Sequence, residues 1–170
     1  MQVLGIDPGG TTGWCLYDSA ERRVLSAGQF PGAERDAEFE SALEQADAVA
    51  LERIVPHGAS YPEVVAAANT AGRLAERVGE CVEIKRPHVR SLLQSAVHGA
   101  VRVRNDATVW AALVELHGEG SGKKARTRKG VVVEQAGALG GVMKHERAAL
   151  AVAVAFVLRQ KFQTEGRVAS

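Results

Sequence analysis

Gly5-Ile6-Asp7-Pro8-Gly9-Gly10-Thr11-Thr12-Gly13-Trp14 follows an apolar run, Met1 to Leu4, that leaves room for one short β-strand. The order of these residues places Asp7 at the strand's end. Pro8 fixes its own φ and biases Asp7 toward an extended conformation. Gly9 and Gly10 then permit a tight turn. A carboxylate held over a Gly-rich turn suits two chemistries: gripping a divalent cation, or gripping a cation and a nucleotide phosphate together.

Working outward, Thr11 to Tyr17 and Arg22 to Phe30 read as two more strands joined by a turn at Asp18-Ser19-Ala20, which makes a three-stranded antiparallel meander. Glu34 to Ala46 has Phe39, Leu43 and Ala46 at helical spacing, and Asp47 to Glu52 is a short apolar run ending in an acid. Tyr61 to Val78 is a second, Ala-rich helix, followed by a strand over Glu80 to Ile84. The order is βββαβαβ. Pro87 opens a helix through Leu92 and Leu93. Asn105-Asp106 reads as the N-cap of an amphipathic run, Val109 to Leu116, that Gly118 ends. His145 to about Gln160 is the closing helix, and its stretch Ala148 to Phe156 is apolar on nearly every side, as expected of a helix packed deeply on a sheet.

If the strands ending in Asp7 and Glu52 are neighbours, both carboxylates emerge at one sheet edge, separated by about 5 Å of strand spacing. Shared carboxylates can hold two hard cations about 4 Å apart, which activate a water and stabilise the leaving oxygen of a phosphodiester. A further ligand must come from elsewhere, and His145 and Glu146, at the start of the last helix, are the candidates. Asp106 is an auxiliary candidate whose competing role is helix capping.

The 170 residues suggest one domain over 1–163 with a tail over 164–170. An apolar content of 46% and a charged content of 24% are those of a globular chain with a real core, and a formal charge of +1 confines any nucleic-acid affinity to local basic patches. Cys15 and Cys81 sit in segments read as separate strands, without metal-ligand spacing, and suit buried thiols in a reducing compartment. There is no apolar run of signal-peptide or membrane-span length, so a cytoplasmic protein is expected.

The stretch Leu4 to Trp14 resembles the opening of the RuvC-type Holliday junction resolvases, whose first strand ends in Ile-Asp-Pro-Gly followed by a Thr-Gly-aromatic stretch. Ala48-Val-Ala-Leu-Glu-Arg-Ile54 resembles the family's fourth strand with its catalytic Glu. Lys144-His-Glu-Arg-Ala-Ala-Leu-Ala-Val-Ala153 resembles its last helix. The resemblance implies an RNase H-like α/β fold, with a mixed five-stranded sheet of three antiparallel strands and then parallel ones, flanked by helices. It also implies a homodimer that uses two Mg2+ or Mn2+ ions per site to nick four-way DNA junctions symmetrically. Carried over, Asp7 and Glu52 match catalytic carboxylates and His145 matches a metal ligand.

Two departures stand out. Family helices carry a second ligand three residues after the first, where this chain has Ala148; Glu146 or Asp106 is the expected substitute. The small-residue form of this helix points to a phage-encoded member. An aromatic wedge is also missing just after Glu52, and Tyr61 is the nearest replacement. Between Gly118 and Gly130, Lys123, Lys124, Arg126, Arg128 and Lys129 are suited to neutralising phosphates without reading bases. Arg86, His88, Arg90, Arg102 and Arg104 form a sparser cluster, of which Arg86 and Arg104 are the DNA-contact candidates. Three alternatives stay open: another RNase H-fold nuclease acting on RNA–DNA hybrids or branched DNA, an actin- or sugar-kinase-like ATPase, and a DNA-binding module without catalysis.

Overall fold

Period-two alternation in the first strand sets the layers of the molecule. The computed structural model describes residues 1–55, 61–98, 102–118, 138–139, 142 and 144–166. In β1 (Gln2–Asp7), Val3 faces one side of the sheet and Leu4 and Ile6 face the other, so each face needs its own cover. β2 (Thr11–Asp18) and β3 (Arg23–Pro31) complete an antiparallel meander, with a bulge at Leu16/Tyr17. The turn after β2 is closed by the Asp18 carboxylate, which accepts hydrogen bonds from the backbone N–H of Ala20 at 2.8 Å and Glu21 at 3.1 Å.

β4 (Ala48–Arg53) lies parallel to β1 on its other side, and β5 (Val82–Lys85) lies parallel beyond it, giving the order β3-β2-β1-β4-β5. This is the mixed five-stranded sheet of an RNase H-like fold, as expected. α1 (Ala37–Gln45) and α2 (Pro62–Val78) make the two crossovers and cover one face, where Phe39, Ala42 and Leu74 meet Leu4, Ile6, Trp14, Leu16 and Leu51. α3 (Arg86–Ala96), α4 (Asp106–His117) and α5 (Lys144–Thr164) cover the other, against Val3, Cys15, Tyr17, Ala50 and Ile84. No helix among the described residues is long and apolar enough to cross a membrane.

α5 is buried from Ala149 through Phe156 and lies directly on β1 and β2. Two glycines make room for it. A Cβ on Gly5 would fall 2.1 Å from the Ala149 carbonyl oxygen, and one on Gly13 would fall 2.3 Å from that of His145. Gly13 is the ladder partner of Asp7, so the missing side chain lets the first turn of α5 settle beside that carboxylate. The far end of α4 is fixed to the sheet as well: the Tyr17 hydroxyl lies 2.7 Å from His117 Nε2, and His117 Nδ1 lies 3.0 Å from the Leu113 carbonyl. Nδ1 can only donate to a carbonyl, so Nε2 accepts from Tyr17.

Several expectations need correcting. α1 starts at Ala37, because Asp36 caps it by accepting from Phe39 N–H at 2.8 Å. Cys15 is buried in β2, whereas Cys81 precedes β5 and is half-buried; both thiols are free. Neither Gly9 nor Gly10 uses a left-handed backbone. Gly10 provides open space, since a Cβ there would meet nothing within 4 Å, whereas one at Gly9 would lie 3.1 Å from the Thr11 carbonyl oxygen. α5 continues to Thr164, past the expected end near Gln160.

The packing predicts a contrast between glycines. Gly5→Ala and Gly13→Ala should each cost about 1–3 kcal/mol through overpacking against α5. Gly10→Ala should stay within about 0.5 kcal/mol of the parent. Urea unfolding midpoints measure all three, and equal losses at the three sites would contradict the close approach of α5.

Candidate active site

Parallel pairing matches Ile6 with Leu51, so the next residues, Asp7 and Glu52, stand side by side at the carboxyl ends of β1 and β4. Both are buried, at 6% and 2% exposure. Burial pushes the Asp7 carboxyl well above its ordinary range, and the hydrogen bond and charge of Glu52 push it further. For Glu52, burial is outweighed by hydrogen bonds from Arg86 and Asp7, which hold its carboxyl below its ordinary value. The two acids therefore share one proton near neutral pH.

Arg86, the first residue of α3, closes over the pair. Its Nε donates to Glu52 Oε1 at 2.6 Å, and its Nη2 donates to Glu52 Oε2 at 2.8 Å and to Asp7 Oδ1 at 3.2 Å. His145 Nδ1 lies 3.8 Å from the other Asp7 oxygen. Thr12, fully buried, braces the turn beneath: its hydroxyl donates to the Gly32 carbonyl at 2.5 Å and accepts from Gly9 N–H at 3.4 Å.

These groups open onto a cleft of about 990 Å³ walled by the 8–11 turn, the end of β4 and faces of α2, α3, α4 and α5. Asp7, Glu52, His145, Asp106 and Ala148 all line it. Asp106 is not the cap of α4. Asn105 fills that role, accepting from Thr108 N–H at 3.0 Å while Thr108 Oγ1 accepts from Asn105 N–H at 2.9 Å. Asp106 is left with a side chain 91% exposed, 4.0 Å from Arg90, and its charge reaches Asp7.

Other expected residues are not brought to the cleft. Glu146 is buried at 1% exposure on another side of α5, where its charge adds to the burial that raises the Cys15 thiol. Tyr61, 75% exposed at the start of α2, and Arg104 lie outside the cleft wall. Arg86 does line it, but is engaged with carboxylates. Lys123, Lys124, Arg126, Arg128 and Lys129 lie outside the described residues. Conversely, Lys85, Arg90, Lys144 and Arg147 line the cleft, and Arg147 sits 4.1 Å over the ring of Trp110. The first turn of α5, Lys-His-Glu-Arg, carried that signal, because its basic residues bracket His145.

The donor chemistry fits a hard divalent cation at the Asp7–Glu52 pair: two buried carboxylate groups abut there, and a guanidinium already stands in as their cation. Among the described residues, no three His, Cys, Asp or Glu side chains form a ready metal cluster, and a second ion would have to draw on His145 and Asp106. No family model and no curated protein matches this sequence. Among solved structures, the chain is similar to T. thermophilus RuvC in complex with a Holliday junction substrate, with 17% identity over 98% of this chain and 97% of that one and a TM-score of 0.48.

The shared proton gives a pH signature. The Asp7 carboxyl is pushed up to about 8, so at lower pH, down to its unfolded value of about 3.9, the ion-free fold binds more protons than the unfolded chain. Stability therefore falls as pH rises across that window and levels off above it. Asp7→Asn removes the effect. In chelator, its melting temperature should exceed the parent's by a margin that widens from pH 5 to pH 8, and a margin independent of pH would contradict the assignment.

Proposed function

We propose that this protein is a metal-dependent endodeoxyribonuclease that nicks four-way DNA junctions symmetrically, with residues 1–163 as its single nuclease domain. The observation that carries this reading is the buried Asp7–Glu52 pair at abutting parallel strand ends, opening on a cleft with Lys85, Arg90, Lys144 and Arg147 in its walls. Carboxylates at the base and cations on the wall suit a phosphodiester whose backbone is gripped by charge and whose reacting phosphate reaches the acids. The resemblance of Leu4–Trp14, Ala48–Ile54 and Lys144–Ala153 to RuvC-type resolvases narrows the substrate to branched DNA.

In this reading Asp7 and Glu52 hold Mg2+ or Mn2+, which when bound supplies Lewis-acid polarisation of the phosphate and an activated water. His145, whose Nδ1 lies 3.8 Å from Asp7, would add a ligand to the set. Asp106 adds a further carboxylate to the cleft wall, on which a second cation would draw. The apolar side chains of Val64, Val89 and Val152 limit water around the buried acids. Symmetric nicking requires two sites, hence a homodimer.

Ala148 favours a second reading. It puts a methyl group in the cleft one turn after His145, where family helices carry their second ligand, and a site so depleted would bind branched DNA without cutting it.

The test is incubation with a labelled four-way junction, a fork and an RNA–DNA hybrid in Mg2+ or Mn2+. Paired symmetric nicks in the junction are expected, reduced by at least about 100-fold in Asp7→Asn, the scale of one lost electrostatic contact to a transition state. Junction binding should survive that substitution. Cleavage of the hybrid alone would replace the junction reading, and binding without cutting would select the non-catalytic one.

Neutralising Lys123, Lys124, Arg126, Arg128 and Lys129 together should weaken junction binding and flatten its dependence on salt, because each phosphate contact releases counterions. Filter binding across a salt series reads this, and an unchanged slope would remove these five residues from the interface.

A further inference from the structure

Arg86 occupies the position that a cation would take, and its surroundings differ from those of a permanent structural ion pair. The carboxylates are held rigidly: their side chains are 8% and 3% exposed, and both grow from central strands. The arginine side chain is 47% exposed and approaches from the cleft. Its backbone is anchored just past β5, at the first turn of α3, where Lys85 is the cap and Pro87 sets the helical φ. The long side chain alone carries the guanidinium to the acids.

Its hydrogen bonds consume one oxygen of Asp7 and both oxygens of Glu52. An ion held between the two acids would draw on the same oxygens. The Asp7 oxygen left over faces His145. A guanidinium and a divalent cation at this pair would crowd the same oxygens and repel each other at contact distance, so ion binding disfavours the guanidinium there.

A displaced Arg86 has somewhere to go. Asp106 also lines the cleft, exposed and close enough for its charge to act on Arg86. Arg90, one turn along α3, already lies 4.0 Å from that carboxylate. A guanidinium released toward Asp106 and Arg90 would join the cationic wall and present a bidentate donor to a phosphate at the mouth of the site.

We propose that Arg86 is a displaceable internal cation: it neutralises Asp7 and Glu52 in the ion-free protein and, when a divalent ion binds between them, swings into the cleft as a phosphate-binding arm. The proposal rests on the cation-site reading above. Loading the site and charging the DNA-binding wall then become one event, so a protein without metal holds DNA less tightly than its charge alone would suggest.

The experiment measures Mn2+ binding by calorimetry to the full chain and to Arg86→Gln, a neutral side chain of similar reach. The variant should bind Mn2+ at least about tenfold more tightly, a difference worth about 1.4 kcal/mol. In chelator its melting temperature should lie below the parent's, and saturating Mn2+ should shrink that gap. A second measurement needs no variant: the Arg86 Nε–H of the wild-type protein, followed by nitrogen-15 NMR, should exchange slowly with water in chelator and lose that protection on adding Mg2+. Equal or weaker Mn2+ binding by Arg86→Gln, or protection that persists in Mg2+, would overturn the displacement. If the wild type binds Mn2+ and cuts DNA while the variant gains no affinity, the displacement alone falls. If neither protein binds Mn2+, the cation site of the proposed function falls with it.

Discussion

Two carboxylates stand at adjacent ends of parallel strands, withdrawn from water, and most of the surrounding structure answers that constraint. Placing like charges side by side in a low-dielectric setting costs several kcal/mol per ion unless something offsets it. The protein offsets it twice, by holding a proton on Asp7 and by laying the Arg86 guanidinium across both acids. Neither device adds packing, and well-packed apolar residues would serve stability as well or better. A buried acid pair with a replaceable counter-cation makes physical sense as a site that exchanges cations.

The scaffold brings four helices to this one edge. Gly5 and Gly13 let the backbone of α5 rest on β1 and β2, which sets His145 beside Asp7 and Ala148 one turn further along the wall. Tyr17 and His117 tie the far end of α4 to β2, so the near end, with Asp106 and Trp110, faces the cleft at a fixed angle. The Thr12 hydroxyl locks the turn that carries Pro8, Gly9 and Gly10 at the wall of the cleft.

The element order and the sheet were legible in the chain because they rest on local signals: alternating apolar residues, Pro and Gly punctuation, and acids closing two apolar runs. The juxtaposition of Asp7 and Glu52 was legible for the same reason, given one topology. Other parts of the site were hidden, each for a physical cause. Arg86 meets partners 34 and 79 residues away, and nothing in its neighbours distinguishes a phosphate contact from an internal ion pair. Asn105 and Asp106 are both good caps, and only the Thr108 hydroxyl decides between them. The side to which Glu146 turns could not be read from α5, because a helix buried nearly all round has no apolar stripe to orient it. The Lys144 and Arg147 contribution was overlooked beside the more conspicuous basic run at 123–129.

Anomalous diffraction from crystals grown with Mn2+ asks whether Asp7 and Glu52 hold a cation. A peak in contact with both carboxylates is expected, with the Arg86 guanidinium turned toward Asp106. A peak elsewhere, or none while Arg86 still spans the two acids, would contradict that reading.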